Sequence, residues 1–321
     1  WMNLLNSGFR CGSCYCRPMV CVEETHLADS ETETGITTVY ERLQSGFNDL
    51  TRAERQLAVF LMENWPVSGL SSITKVASNA NVSTPTVARM IQKLGFSGFP
   101  AFQAALRDEL EAKISNPIEK HERWSAEVPD THILNRFADA ILQNLRQTFS
   151  HINPDDFDST CRMLADPDHA VFITGGRITH TLAEYLFLHL QVIRSGTVLI
   201  PSSGAAWPHY VMDMKAGDVL VILDVRRYQN DLLKLAEIAA SRDVNIILLT
   251  DQWRSPIAHH AKWTFNNRIE VPSAWDSTAA LLVLMETMIA DIQKSLWDTT
   301  SERMQDLEGL FDRTRLFRRF K

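Results

Sequence analysis

The chain has 321 residues, a formal net charge of −7, 45% hydrophobic and 22% charged residues. That length accommodates two domains at roughly 100–200 residues each, and no apolar run reaches the ~18 residues that cross a bilayer, so no membrane partner is expected. The acidic total excludes a chain that binds nucleic acid nonspecifically over its whole surface, but leaves room for one groove-binding module.

Residues 1–36 carry no helical or strand periodicity, and 23–34 (EETHLADSETET) is acidic and polar, which reads as a disordered N-terminal arm. Cys11, Cys14, Cys16 and Cys21 fall within eleven residues of it, and Cys161 stands alone. The spacing could hold a metal through thiolates, but no His or second Cys pair follows at a matching distance, so neither a metal nor a cofactor is expected. Unspread cysteines fit a reducing compartment, hence a cytoplasmic protein. Asn3-Leu4-Leu5-Asn6 is too short and polar for the apolar core of a secretory leader.

Residues 37–113 read as an all-α domain. Val39, Leu43 and Phe47 recur at near-helical spacing, and Thr51 and Glu54 form a capping box. Leu57, Phe60, Leu61 and Trp65 make a buried stripe that Pro66 ends. Over 71–95, Ile73, Val76, Ala77 and Ala80 share one helix face, Asn81 supplies a turn, and Ser83 caps a second helix with Pro85 in its first turn. Val87, Met90, Ile91 and Leu94 repeat the apolar spacing, and Gly95 stops the helix. Two short helices around a tight turn are the helix-turn-helix layout, whose second helix enters the major groove of double-stranded DNA. The candidate DNA-binding residues are therefore Ser83, Thr84, Thr86, Arg89, Gln92 and Lys93. Thr86, Arg89 and Lys93 are expected on one outward side. Arg89 is the candidate for a bidentate guanine contact, and Lys93 and Ser83 for phosphates. A solvated helical bundle is the competing reading, since eight Lys/Arg against seven Asp/Glu give this domain a net charge of only +1.

Residues 114–130, polar and bracketed by Pro117 and Pro129, read as a linker. After a helix at about 131–150, short apolar runs alternate with helical segments: Ala170–Thr174, Thr197–Ile200, Asp218–Leu223, Asn245–Leu249 and the shorter Trp263–Phe265. Such runs are strands buried on both faces, and the alternation predicts a three-layer α/β domain over 131–300 with a parallel, mostly five-stranded sheet. A long helix from about Ser277 to Trp297 closes it, and 301–321 is an amphipathic segment ending in Arg313, Arg315, Arg318, Arg319 and Lys321. Ligands of open α/β sheets bind beyond the carboxyl ends of the strands. There the chain places Gly175, Gly176, Arg177 and Thr179, then Ser202 and Ser203, then Arg226 and Arg227. Glycines permit close approach, helix amino ends favour anions and arginines grip them, so these residues are the candidate site for a phosphorylated or carboxylated small molecule. Alternatively the glycines only turn, and the arginines pair with Asp224, Asp231 or Asp251; Tyr228 and Trp253 are expected to pack.

With the order of parts assembled, the chain resembles the RpiR family over about residues 37–298: a helix-turn-helix domain followed by a sugar-isomerase-like (SIS) domain. The resemblance is carried by LTRAERQLAVFLMENW, then SSITKVASNANVSTPTVARMIQKLGFSGFPAFQ. It implies phosphosugar recognition through a Gly-x-Gly-x-Ser turn and a Ser-x-Ser-Gly-x-Thr loop. The first falls on Gly175-Gly176-Arg177-Ile178-Thr179, with Arg177 for the second glycine and Thr179 for the serine. The second falls on Asp224-Val225-Arg226-Arg227-Tyr228-Gln229, which keeps none of its small hydroxyls, while Ser255-Pro256-Ile257-Ala258 fits the pattern after the fourth strand.

The reading is a DNA-binding transcriptional regulator whose SIS-like domain senses a sugar phosphate or sugar acid, acting as a homodimer or higher homo-oligomer on a palindromic operator. Its rivals are a sugar-phosphate isomerase, for which His180, Glu184, His259 and His260 offer proton-transfer groups, and an interaction module with a vestigial pocket.

Overall fold

The computed structural model describes residues 37–63, 65–120 and 132–315, all within one compact unit, Gly35–Lys321. The cysteine cluster, the anticipated arm, Arg318, Arg319, Lys321 and most of the anticipated linker lie outside the described residues.

The amino-terminal part is helical: α1 (Val39–Ser45), α2 (Arg52–Glu63), α3 (Ile73–Asn79), α4 (Thr84–Lys93) and α5 (Phe99–Ile114). Side-chain caps fix where these helices begin. Thr38 and Glu41 close a capping box on α1, and the Thr51 amide donates to Glu54 Oε2 (2.8 Å) ahead of α2. Each cap satisfies amides that a helix start leaves without partners. The core of this part gathers Leu43, Leu57, Leu61, Val76, Met90, Ile91, Phe102 and Leu106, all essentially fully buried.

The rest is a three-layer α/β domain containing α6 (Ile133–Ser150), α7 (Pro154–Ala165), β1 (Val171–Gly175), α8 (His180–Ile193), β2 (Thr197–Leu199), α9 (Trp207–Asp213), β3 (Val219–Asp224), α10 (Asn230–Ala240), β4 (Asn245–Asp251), β5 (Trp263–Asn267), α11 (Ala279–Ser295) and α12 (Trp297–Thr314). The five strands are parallel in the order β2-β1-β3-β4-β5. Alternation along each strand builds the layers. Val171, Ile173, Val221 and Ile247 face α8 and α11, while Phe172, Leu220, Ile222 and Leu248 face α10. The long closing helix anticipated from about 277 to 297 is α11, which ends at its cap Leu296, and the amphipathic segment after it is α12, which begins at Trp297 and not at 301.

The chain leaves β1 for one edge through β2, then returns across β1 to β3. Crossovers after β1 and β3 thus diverge, and a crevice opens between their carboxyl ends, where ligands of such sheets bind.

Candidate functional site

The helix-turn-helix expectation has a clear local origin. Asn81 turns the chain with φ +52° and Gly95 ends α4 with φ +85°, the left-handed region in which Asn and Gly carry little steric cost. The Ser83 hydroxyl accepts from the Thr86 amide (3.3 Å). Val87, Met90 and Ile91 are fully buried, which turns Arg89 and Gln92 outward, exposed, with Thr84 half-exposed beside them.

One expected outward residue, Thr86, is placed differently, and Lys93, outward as expected, is engaged in an ion pair. Thr86 is 8% exposed, and its hydroxyl shares a hydrogen bond with Ser83 Oγ (2.8 Å), so it closes the first turn of α4. Lys93, half-exposed, donates to Glu54 Oε2 (2.7 Å) on α2. Burial raises the Glu54 carboxyl, but bonds from Lys93 and Thr51 outweigh it and hold the group below the usual carboxylate range. Lys93 therefore splints two helices here.

The crevice at the switch point is a cavity of about 400 Å³, lined on one side by Gly176, Arg177 and Thr179 and on another by Asp224, Arg226 and Arg227. Gly175 lies beneath it: a Cβ there would stand 2.7 Å from the Thr179 carbonyl. Thr179 holds the turn, because its hydroxyl donates to the Leu223 carbonyl (2.6 Å) and accepts from the Gly176 amide (2.9 Å). That hydroxyl's proton is spent on backbone, so it has no further hydrogen bond to donate. The amides of Arg177, Ile178 and Thr179 have no partner among the described residues, at the amino end of α8. Arg177 and Arg227 are exposed.

Arg226 departs furthest from expectation. Its guanidinium turns to the carboxyl end of α5, where Nη1 donates to the Ala112 carbonyl and to Ser115 Oγ, both at 2.7 Å. It stacks 4.1 Å over the Trp253 ring, and Nε lies 3.0 Å from Asp276 Oδ2. Ser115, Lys120 and Asp276 form a third wall of the cavity that sequence reading missed. Lys120 pairs with Asp276 across 156 residues, and no local pattern encodes such a pairing. Ser202 and Ser203 stand exposed beyond β2 and do not line the cavity. His180, Glu184, His259 and His260 do not line it either.

Beneath the cavity, acids are buried and bonded. Burial pushes Asp224 up to about 6, against the Ser255 hydroxyl that donates to it (2.5 Å). Asp251, fully buried and raised by that burial, accepts from the Arg226 amide (2.7 Å), the Tyr228 hydroxyl (2.7 Å) and the Trp253 amide (2.9 Å). Tyr228 and Trp253 therefore pack, as expected.

Ionic contacts also tie the helical part to the α/β part. Glu41 of α1 pairs with Arg268 just past β5, both nearly fully buried. Lys113 donates to the carbonyls of Trp253 (3.2 Å) and Arg254 (3.1 Å); within the helical part, Glu109 Oε1 of α5 accepts from the Val39 amide of α1 (2.5 Å).

A family model described as a helix-turn-helix domain of the rpiR family matches residues 37–113, and one described as a SIS domain matches 163–290. The HTH-type transcriptional regulator HexR of Escherichia coli is 23% identical over 244 residues, 74% of this chain and 79% of that one. The sugar isomerase domain of an RpiR transcription factor from Sphaerobacter thermophilus superposes with a TM-score of 0.51 at 20% identity, over 55% of this chain and 97% of that one. The Vibrio vulnificus NanR protein complexed with ManNAc-6P superposes with a TM-score of 0.50 at 18% identity, over 87% of this chain and 99% of that one. These solved structures establish likeness of fold.

Proposed function

The chain belongs to the RpiR family of helix-turn-helix regulators that carry a SIS domain, and from that premise we propose that it is a transcription factor whose operator affinity is set by a sugar phosphate or sugar acid bound between β1 and β3. The observation that carries this reading is the coincidence, in one cavity at the switch point, of three unpartnered amides at the start of α8 with the arginines Arg177 and Arg227. Amides at a helix amino end and planar guanidinium groups both favour anions. Arg89 and Gln92 on α4 read base edges, and Thr84 and Ser83 contact the backbone. Helix-turn-helix proteins read paired half-sites, so the working form is a homodimer or higher oligomer on a palindromic operator in the cytoplasm. ManNAc-6P in the NanR structure is an instance of the proposed ligand class.

The test is selection of genomic fragments by the purified protein, followed by Kd measurement at fixed salt. Glucose 6-phosphate, N-acetylmannosamine 6-phosphate and 6-phosphogluconate are added in turn. The expected result is an enriched palindrome whose Kd shifts with one of them. Failure to enrich any sequence at low and at high salt rejects DNA recognition, and an unmoved Kd across the panel rejects these compounds as effectors. Replacing Arg177 and Arg227 together by Ala is expected to abolish the shift while leaving operator binding intact.

A further inference from the structure

We propose that the Asp276 carboxylate competes for the place of the effector's anionic group, and that an arriving anion displaces it from Arg226 and Lys120, so releasing the carboxyl end of α5. This rests on the reading of the cavity as an anion site and adds how the site is coupled to the helical part.

Three observations converge on Asp276. First, one carboxylate serves two cations that solvent scarcely reaches: the Lys120 side chain is 3% exposed, that of Arg226 6% and that of Asp276 18%. Removing a carboxylate from buried cations with no replacement is costly, so any group that takes its place must be an anion. Second, Arg226 has donors to spare. Among the described residues its Nε and Nη2 are buried without a hydrogen bond, with Asp276 at 3.0 Å and Glu270 at 3.6 Å as ion-pair neighbours only. Nε and Nη2 are one edge of the guanidinium fork, the edge that takes a carboxylate or phosphate with two parallel bonds. The buried fork thus lines the cavity with its bidentate edge held by carboxylates through charge and not through paired hydrogen bonds. Third, Asp276 sits on an irregular stretch, with bends at 272–275 and regular structure resuming only at Ala279. It can swing away without breaking a helix or a strand.

The same guanidinium holds Ala112 and Ser115 through Nη1, and Lys120 follows one helical turn later at 117–120. Drawing the fork toward an incoming anion therefore alters the bonds that fix the end of α5. Arg226 is a positioning residue for the helical part as well as a ligand contact.

Displacement makes a prediction opposite in sign to a structural role: removing the competitor must tighten ligand binding. With inorganic phosphate and the three sugar compounds above as probes in isothermal titration, Asp276→Asn is expected to bind about tenfold more tightly than the wild type, within the range of ordinary coupling between sites. Its operator Kd without ligand is expected to move toward the wild-type value at saturating ligand. Asp276→Glu, which restores a carboxylate, is expected to return both toward wild type, and Asp276→Ser serves where the Asn variant does not fold. A folded Asn or Ser variant that binds a probe no more tightly than wild type, with an unchanged operator response, overturns the displacement and leaves the proposed effector site standing. If neither wild type nor variant binds any probe, both fall together.

Discussion

Arg89 and Thr179 hold contrasting places, one exposed on α4 and one buried in the turn after β1. Arg89 stands exposed on α4, so Arg89→Ala is expected to cost about 1–3 kcal/mol on the specific operator and to relax base preference at one position. Uniform weakening on operator and scrambled DNA, measured at one salt concentration, would reassign it to phosphate. The Thr179 hydroxyl bonds backbone on both sides and so shapes the turn. Thr179→Val removes one of the two donors to the Leu223 carbonyl, which keeps the Gly176 amide, so a loss of about 0.5–1.5 kcal/mol of unfolding free energy is expected, read by urea denaturation, whereas Thr179→Ser keeps the bond. At this scale the sequence was a partial guide. Ser83, Asn81 and Gly95 announced themselves because caps and left-handed turns select residue types locally. The direction of Arg226 did not, because the same guanidinium suits a ligand, a carboxylate or a carbonyl, and what decides is the helix end that folding brings alongside.

Among the elements, α1 and α5 show how packing perturbs chemistry. Glu109 of α5 accepts the Val39 amide, and burial first, then the neighbouring charge of Glu41, pushes its carboxyl from 4.5 to about 7. Between those pH values the folded chain keeps a proton that the unfolded chain has released, so stability falls as pH rises through the window and levels off above about 7. Asp224, raised to about 6, adds a slope of the same sign at lower pH. Glu109→Gln, which retains the acceptor, is expected to flatten the decline of Tm between pH 5 and 7 in thermal melts. A decline as steep as in wild type would show that Glu109 does not titrate there. The elements themselves were mostly visible in advance: periodicity placed α2 to α4, and four continuous apolar runs placed β1, β3, β4 and edge strand β2. The end of α11 at Leu296 was legible to within a residue or two, whereas the start of α12 at Trp297 came four residues earlier than the amphipathic pattern suggested.

Across the whole molecule, the helical and α/β parts meet through buried charge. Glu41 and Arg268 lie 227 residues apart in sequence, a separation that no spacing rule can anticipate. Losing one member of a buried pair leaves the other uncompensated, so Arg268→Met is expected to cost about 3–5 kcal/mol in denaturant, and Glu41→Gln with Arg268→Met to recover most of it. An additive double variant would mean the pair contributes no coupling. The helix that runs between the two parts has a further consequence. With 16 residues, α5 is a rod about 24 Å long at 1.5 Å per residue. Phe102 and Leu106 clamp it inside the helical core, fully buried, and Arg226 grips its far tip. A tilt of about 5° about that tip would carry the other end roughly 2 Å, more than half the 3.4 Å step between stacked bases. Under the proposed displacement, a pivot moved by one anion would be magnified by its pointer into a change of register along the groove.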